Sequence, residues 1–200
     1  MSWTTGTQTE TLGVNSAVGS ADANSTAVAV ISPVTGAGYC PANFWLPTYG
    51  ISKSLLVKAF GVLSTTSTPN LTMGVIADTT QGTPPANLTS GTSGVLATTG
   101  AVAMSSGVTN VPWELEVLIS NVTTGSSGTF LAGGMLKIYN AVTTATAWGA
   151  YRCTSSSANP NTAATLSTQS AYYIELAALW GTASSSNTIQ VYDYAVLGLN

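Results

Sequence analysis

The clearest pattern in the chain is alternation with a period of two. Trp113, Leu115, Val117 and Ile119 alternate with Glu114, Glu116, Leu118 and Ser120, which predicts a strand with one face in a core and the other in water. Leu71, Met73, Val75 and Ala77 alternate with Thr72, Gly74 and Ile76, and Tyr172, Ile174, Leu176, Ala178 and Trp180 alternate with Tyr173, Glu175, Ala177 and Leu179. Ser54 to Leu63 is a near-continuous apolar run interrupted by Lys58. Thr129 to Tyr139 follows a turn over Thr123 to Gly128 as the expected partner of the 113–120 strand, Thr143 to Cys153 and Thr188 to Leu199 read as further strands, and Val28 to Ile31 and Val95 to Met104 as weaker ones. Gly133-Gly134 inside one of these runs predicts a bulge or a close backbone approach. No 3.6-residue period runs for three turns, and abundant Thr and Val disfavour helix.

The segments between the strands are turn-formers. Ser64 to Asn70 joins the first two strong strands into an expected hairpin, and Gly181 to Asn187 joins the last two into another. Asp78 to Gly94 is a long polar loop, and loops of this length usually have a task or lack order. Between residues 32 and 50, Pro33, Pro41 and Pro47 exclude a helix. The aromatics there, including Phe44 and Trp45, either cap a core or anchor an interface. The organisation expected is an N-terminal arm or edge segment over residues 1–25, followed by a single domain over 26–200. The fold class is all-β: an antiparallel β-sandwich of about eight strands, best matched by a jelly roll with an extended N-terminal arm.

Composition narrows the function. The 200 residues include 4 Lys+Arg and 7 Asp+Glu, a net charge of −3, and charged residues are 6% of the chain, against about 25% in ordinary soluble domains. The absence of histidine excludes Ser-His-Asp and Cys-His catalysis and His-ligated metals. Four basic residues cannot build a nucleic-acid footprint, so no nucleic-acid partner is expected. A mean hydropathy of +0.31 excludes charge-driven disorder. The apolar runs are strand-sized and fall short of the roughly 18 residues of a spanning helix, so no membrane partner is expected. The N-terminus lacks the basic and apolar regions of a secretion signal, which predicts synthesis in the cytoplasm.

Candidate chemistry is sparse. Cys40 and Cys153 lie far apart and outside any CxxC pair; they are either two small buried side chains or a disulfide, if folding brings their Cα atoms within about 7 Å. Glu114 and Glu116 stand roughly 7 Å apart on one strand face, a spacing used by glycosidases, but catalytic pairs flank a substrate from different elements, so a solvated face is expected. Glu175 and Asp193 fall on the two strands of the final expected hairpin, with far too few oxygens nearby for a calcium site. No catalytic, cofactor-binding or metal-ligating residue is therefore assigned, no cofactor is expected, and the chain reads as a non-enzyme. Trp3, Trp45, Trp148 and Trp180 are candidates for a sugar-stacking platform.

Trp113-Glu114-Leu115-Glu116-Val117, a Gly/Ser turn, and then Tyr172 to Trp180 with Gly181-Thr182-Ala183-Ser184-Ser185-Ser186-Asn187-Thr188-Ile189 resemble small jelly-roll virion structural proteins of tailed bacteriophages. The similarity lies in strand rhythm and the Trp-Gly-Thr-Ala-Ser hairpin at 180–184, and covers residues 50–200. It implies a capsid decoration or cement subunit on the outer face of an icosahedral head, stabilising capsomer contacts. The implied partners are the major capsid protein and further copies of the chain, as homotrimers, and the implied location is the capsid surface after synthesis in the host cytoplasm. A tail or head-fibre module recognising host-surface glycans, and a shell subunit itself, are the alternatives. The Thr/Ser/Asn/Ala-rich surface is in keeping with this, because little net charge favours association and contacts made without charge depend weakly on salt.

Overall fold

Fourteen strands and no helix make up the structure, a computed structural model that describes residues 9–15, 22–23, 27–32, 38–46, 53–139, 148–156 and 162–199. In chain order the strands are β1 (Thr9–Asn15), β2 (Asp22–Ala23), β3 (Ala29–Val30), β4 (Gly38–Cys40), β5 (Ser54–Ser64), β6 (Asn70–Asp78) and β7 (Val95–Thr98). They continue with β8 (Val102–Ala103), β9 (Val111–Thr123), β10 (Gly128–Tyr139), β11 (Trp148–Thr154), β12 (Ala164–Leu166), β13 (Tyr172–Trp180) and β14 (Thr188–Leu199). Eight of them have seven residues or more, and the other six have two to four. Every pairing is antiparallel. The all-β, antiparallel, jelly-roll-like class expected from the periodicity is thus the class observed. The strand expected over 143–153 begins at Trp148, and residues 143–147 lie outside the described ones.

The strands follow one path, β1-β14-β5-β9-β10-β11-β7-β6-β13-β3, which curls so that two halves enclose a common core. The joint between the halves is thin: β11 meets β7 through one register pair, Thr154 and Thr98. The first half runs from β1 to β11, and the second from β7 to β3.

The expected pairing of β9 with β10 through the 123–128 turn is present, but the other two expected hairpins are absent. β5 pairs with β14 and β9 rather than β6, and β13 pairs with β6, β3 and β4 rather than β14. The consecutive strands instead change sheets. β5 and β14 run together in the first half, and their neighbours β6 and β13 run together in the second. The two connecting segments lie side by side at this corner. Thr66 N–H donates to Asn187 Oδ1 at 3.2 Å, and Gly181 N–H donates to the Asn70 carbonyl at 2.8 Å. Alternation had identified the strands but carries no information on which strand each one bonds, and a seven-residue turn is long enough to cross between sheets. This doubled crossing is the wrap that makes the fold jelly-roll-like.

The inward faces fill the core as the alternation requires: Trp113, Leu115, Val117 and Ile119 are all buried. Trp45 closes one end of it, edge-on to Phe44 and Phe130 with ring centroids 5.1 and 4.8 Å away, so Phe44 and Trp45 cap the core there, while Tyr39 is exposed. Two glycines are demanded by close approach. A Cβ on Gly61 would stand 1.9 Å from the Gln190 carbonyl oxygen and 2.7 Å from the Trp113 ring; one on Gly134 would stand 2.1 Å from the Glu116 carbonyl oxygen. The expected close approach at Gly133-Gly134 therefore falls at Gly134, while Gly133 faces open space.

The two halves differ on their outer faces. In the second half β6 and β13 are buried on both faces. Leu88, from the 79–94 loop, packs with Val28, Ile76, Val95 and Ala177 over the outside of that half. The long loop is thus a roof, held down by Glu175, which accepts the Gly82 N–H with both carboxylate oxygens at 3.0 and 3.2 Å. In the first half β5, β9 and β10 alternate between buried and exposed, and no described segment covers their outer face.

Candidate functional site

The uncovered face is the most distinctive surface of the molecule. Register aligns its outward side chains in rows across β14, β5, β9, β10 and β11. One row runs Ala195, Lys58, Glu116, Met135, Arg152, and the next runs Asp193, Phe60, Glu114, Lys137, Ala150. Strand spacing fixes these neighbours about 4.5–5.5 Å apart, so the charges are positioned by the sheet and not by flexible loops.

Glu114 and Glu116 do share this solvent-facing side, as expected, and each is neutralised from a different neighbour. Lys58 Nζ lies 2.8 Å from Glu116 Oε2, and Lys137 Nζ lies 2.5 Å from Glu114 Oε1. The hydrogen bond to Glu114, and then its charge, hold the Lys137 ammonium above its usual range. A carboxylate already bound to its own lysine is poorly placed for acid–base exchange with a substrate, so the two ion pairs neutralise the middle of the face. Between these side chains runs a shallow groove of about 560 Å³, lined by Phe60, Met135, Asp193 and both ion pairs. Phe60, Leu118 and Met135 are each more than 40% exposed. Large apolar side chains contiguous on one face mark a contact surface. Asp193 and Arg152, at opposite ends of the rows, are exposed, and neither forms an ion pair among the described residues.

Glu175 and Asp193 are not brought together. Glu175 is fully buried in the second half, opposite Ile76, while Asp193 is in the first half, opposite Phe60. Burial raises the Glu175 carboxyl above its usual range against the Gly82 hydrogen bond, which lowers it, and nearby Asp78 raises it further. Cys40 and Cys153 are both buried and no disulfide joins them; burial pushes the Cys153 thiol up to about 12, so it is no nucleophile at neutral pH.

Of the candidate sugar-stacking tryptophans, Trp45 and Trp180 are fully buried and Trp3 lies outside the described residues. Trp148 is 48% exposed and meets Tyr139 edge-on at 5.5 Å, at the β10–β11 end of the uncovered face. The exposed Phe60 and Met135 were not singled out from the sequence. The signal was present: both fall in the outward phase set by Lys58 and Lys137, two residues away.

Among the described residues no group of three or more His, Cys, Asp or Glu could hold a metal ion, and no helix is long and apolar enough to cross a membrane. No family model matches the chain, and no curated protein is similar to it.

Proposed function

We propose that this chain is a structural subunit of a larger particle and works by contact rather than by chemistry. The observation that carries the reading is the outer face of β5, β9 and β10: a wide, ordered surface on which Phe60, Leu118 and Met135 stand exposed beside charges that cancel in pairs. Such a face is costly to leave in water and has no described covering. The charge-poor composition supports it too, since a subunit held in an assembly needs little repulsion to stay dispersed.

The specific form of the proposal is a non-enzymatic decoration or cement subunit on a phage capsid, and it rests on the resemblance in strand rhythm over residues 50–200. Quantitative mass spectrometry of purified virions tests it. Hundreds of copies per particle are expected; a handful would point to a tail component, and none would reject the virion role.

A second reading has one observation in its favour. The exposed Trp148–Tyr139 pair offers an open aromatic surface of the kind on which sugar rings stack, which suits a fibre module recognising host glycans. Glycan-array binding that Trp148→Ala abolishes would establish that reading, and a blank array would remove it.

A further inference from the structure

The two rows on the uncovered face are related by a simple operation. Read one forwards and the other backwards, and Lys58 matches Lys137, Glu116 matches Glu114, and Met135 matches Phe60. The pattern inverts only at the ends, where Arg152 matches Asp193. Each of these end charges lacks an ion-pair partner among the described residues, and four strand spacings, roughly 19 Å, separate them.

We infer that this face is the contact between two copies of the chain, related by a two-fold axis lying in the face close to the direction of β9. That operation lays β14 of one copy on β11 of the other and β5 on β10. Asp193 of each copy meets Arg152 of the other, so both unpaired charges are satisfied twice over. Phe60 of each copy meets Met135 and the Lys137 stem of the other. The glutamates arrive at the axis already carrying their own lysines, so the centre of the contact is neutral. A surface in which residue i meets j while j meets i is what an isologous dimer requires.

Size is adequate as well. Five strands about 4.8 Å apart and four outward positions about 6.8 Å apart make a face of roughly 650 Å², close to the about 800 Å² per partner of a standard interface. Two sheets stacked this way reproduce the ordinary face-to-face packing of a sandwich. The roofed second half cannot do the same, because the 79–94 loop already occupies its outside. The inference rests on the reading of this face as a contact surface and assigns it to a second copy, so a capsid contact would have to use another part of the molecule, such as the corner where Tyr39 meets Tyr173; the test concerns the purified chain alone, so its failure leaves the virion count untouched.

Sedimentation equilibrium of the full chain tests it, using wild type, Asp193→Arg, Arg152→Asp and the double reversal. The wild type is expected to form a concentration-dependent dimer. Each single reversal should weaken it by about tenfold or more, and the double reversal should restore it to within about threefold. Both positions are exposed, and unchanged circular-dichroism spectra with cooperative unfolding of the variants will confirm that they fold. A monomer at every concentration, a closed trimer, a dimer indifferent to the single reversals, or a double variant no better than the singles would each overturn the inference.

Discussion

Tyr194 donates its hydroxyl to the Ile174 carbonyl at 2.7 Å, and both residues are fully buried. The two belong to β14 and β13, consecutive strands that do not pair and that lie in opposite halves of the sheet. The bond ties those halves together across the core, and burial keeps the phenol neutral well above its usual range. Tyr194→Phe keeps the ring and removes only this tie, so it should lower stability by about 1–2 kcal/mol. Urea unfolding checks it, with the slope unchanged; equal midpoints would mean the bond contributes nothing.

Asn187 holds the corner at which the chain twice changes sheets. Besides accepting from Thr66, its side-chain N–H donates to the Thr182 carbonyl at 3.2 Å, and the residue is fully buried. Asn187→Ala should cost about 1–3 kcal/mol, because it leaves the Thr66 N–H without its partner. Amide exchange should accelerate at Thr66 well before it does in the central strands.

Glycine substitutions separate close approach from mere chain flexibility. Gly61→Ala and Gly134→Ala place a Cβ against backbone carbonyls that cannot move without breaking register, and each should cost at least about 2–3 kcal/mol. Gly133→Ala, which meets nothing within 4 Å, should be near neutral. Denaturant melts of the three variants decide the matter, and similar losses in all three would contradict this packing.

Glu175 gives stability a pH dependence of unusual sign. Its folded carboxyl titrates above the unfolded one because burial disfavours the charge. The contribution is therefore fully present below the unfolded value of about 4.3 and is lost as pH rises through the folded value. Glu175→Gln retains an oxygen that can accept the Gly82 N–H and removes the titration. Relative to wild type, the variant should gain in Tm as pH rises above the unfolded value, and a constant difference would refute the assignment. Asp78 adds to the effect, since its charge also opposes ionisation of Glu175.

The strands were legible because burial imposes alternation, and alternation survives in any single sequence. The roof over the second half was not read from the sequence, where 78–94 is only a long polar loop, although a signal for it was present. Ala177 and Leu179 occupy the outward phase of β13, and Ile76 does so in β6, where a wetted strand would carry polar groups. Pairing was legible only where a short turn joins neighbours, as between β9 and β10; bonding between β5 and β14 joins residues more than 120 positions apart and depends on backbone geometry that no local pattern encodes. The contact face was half legible: Glu114 and Glu116 marked it as outward, but its meaning came from Lys58, Lys137, Phe60 and Met135, which only the register brings alongside.

Thermal release of packaged DNA measures the central proposal most directly. Phage shells from which this protein has been omitted should lose their DNA at a lower temperature than complete shells, and adding the purified chain back should restore the higher one, as binding to the assembled state requires. Coincident release curves with and without the protein would contradict the account.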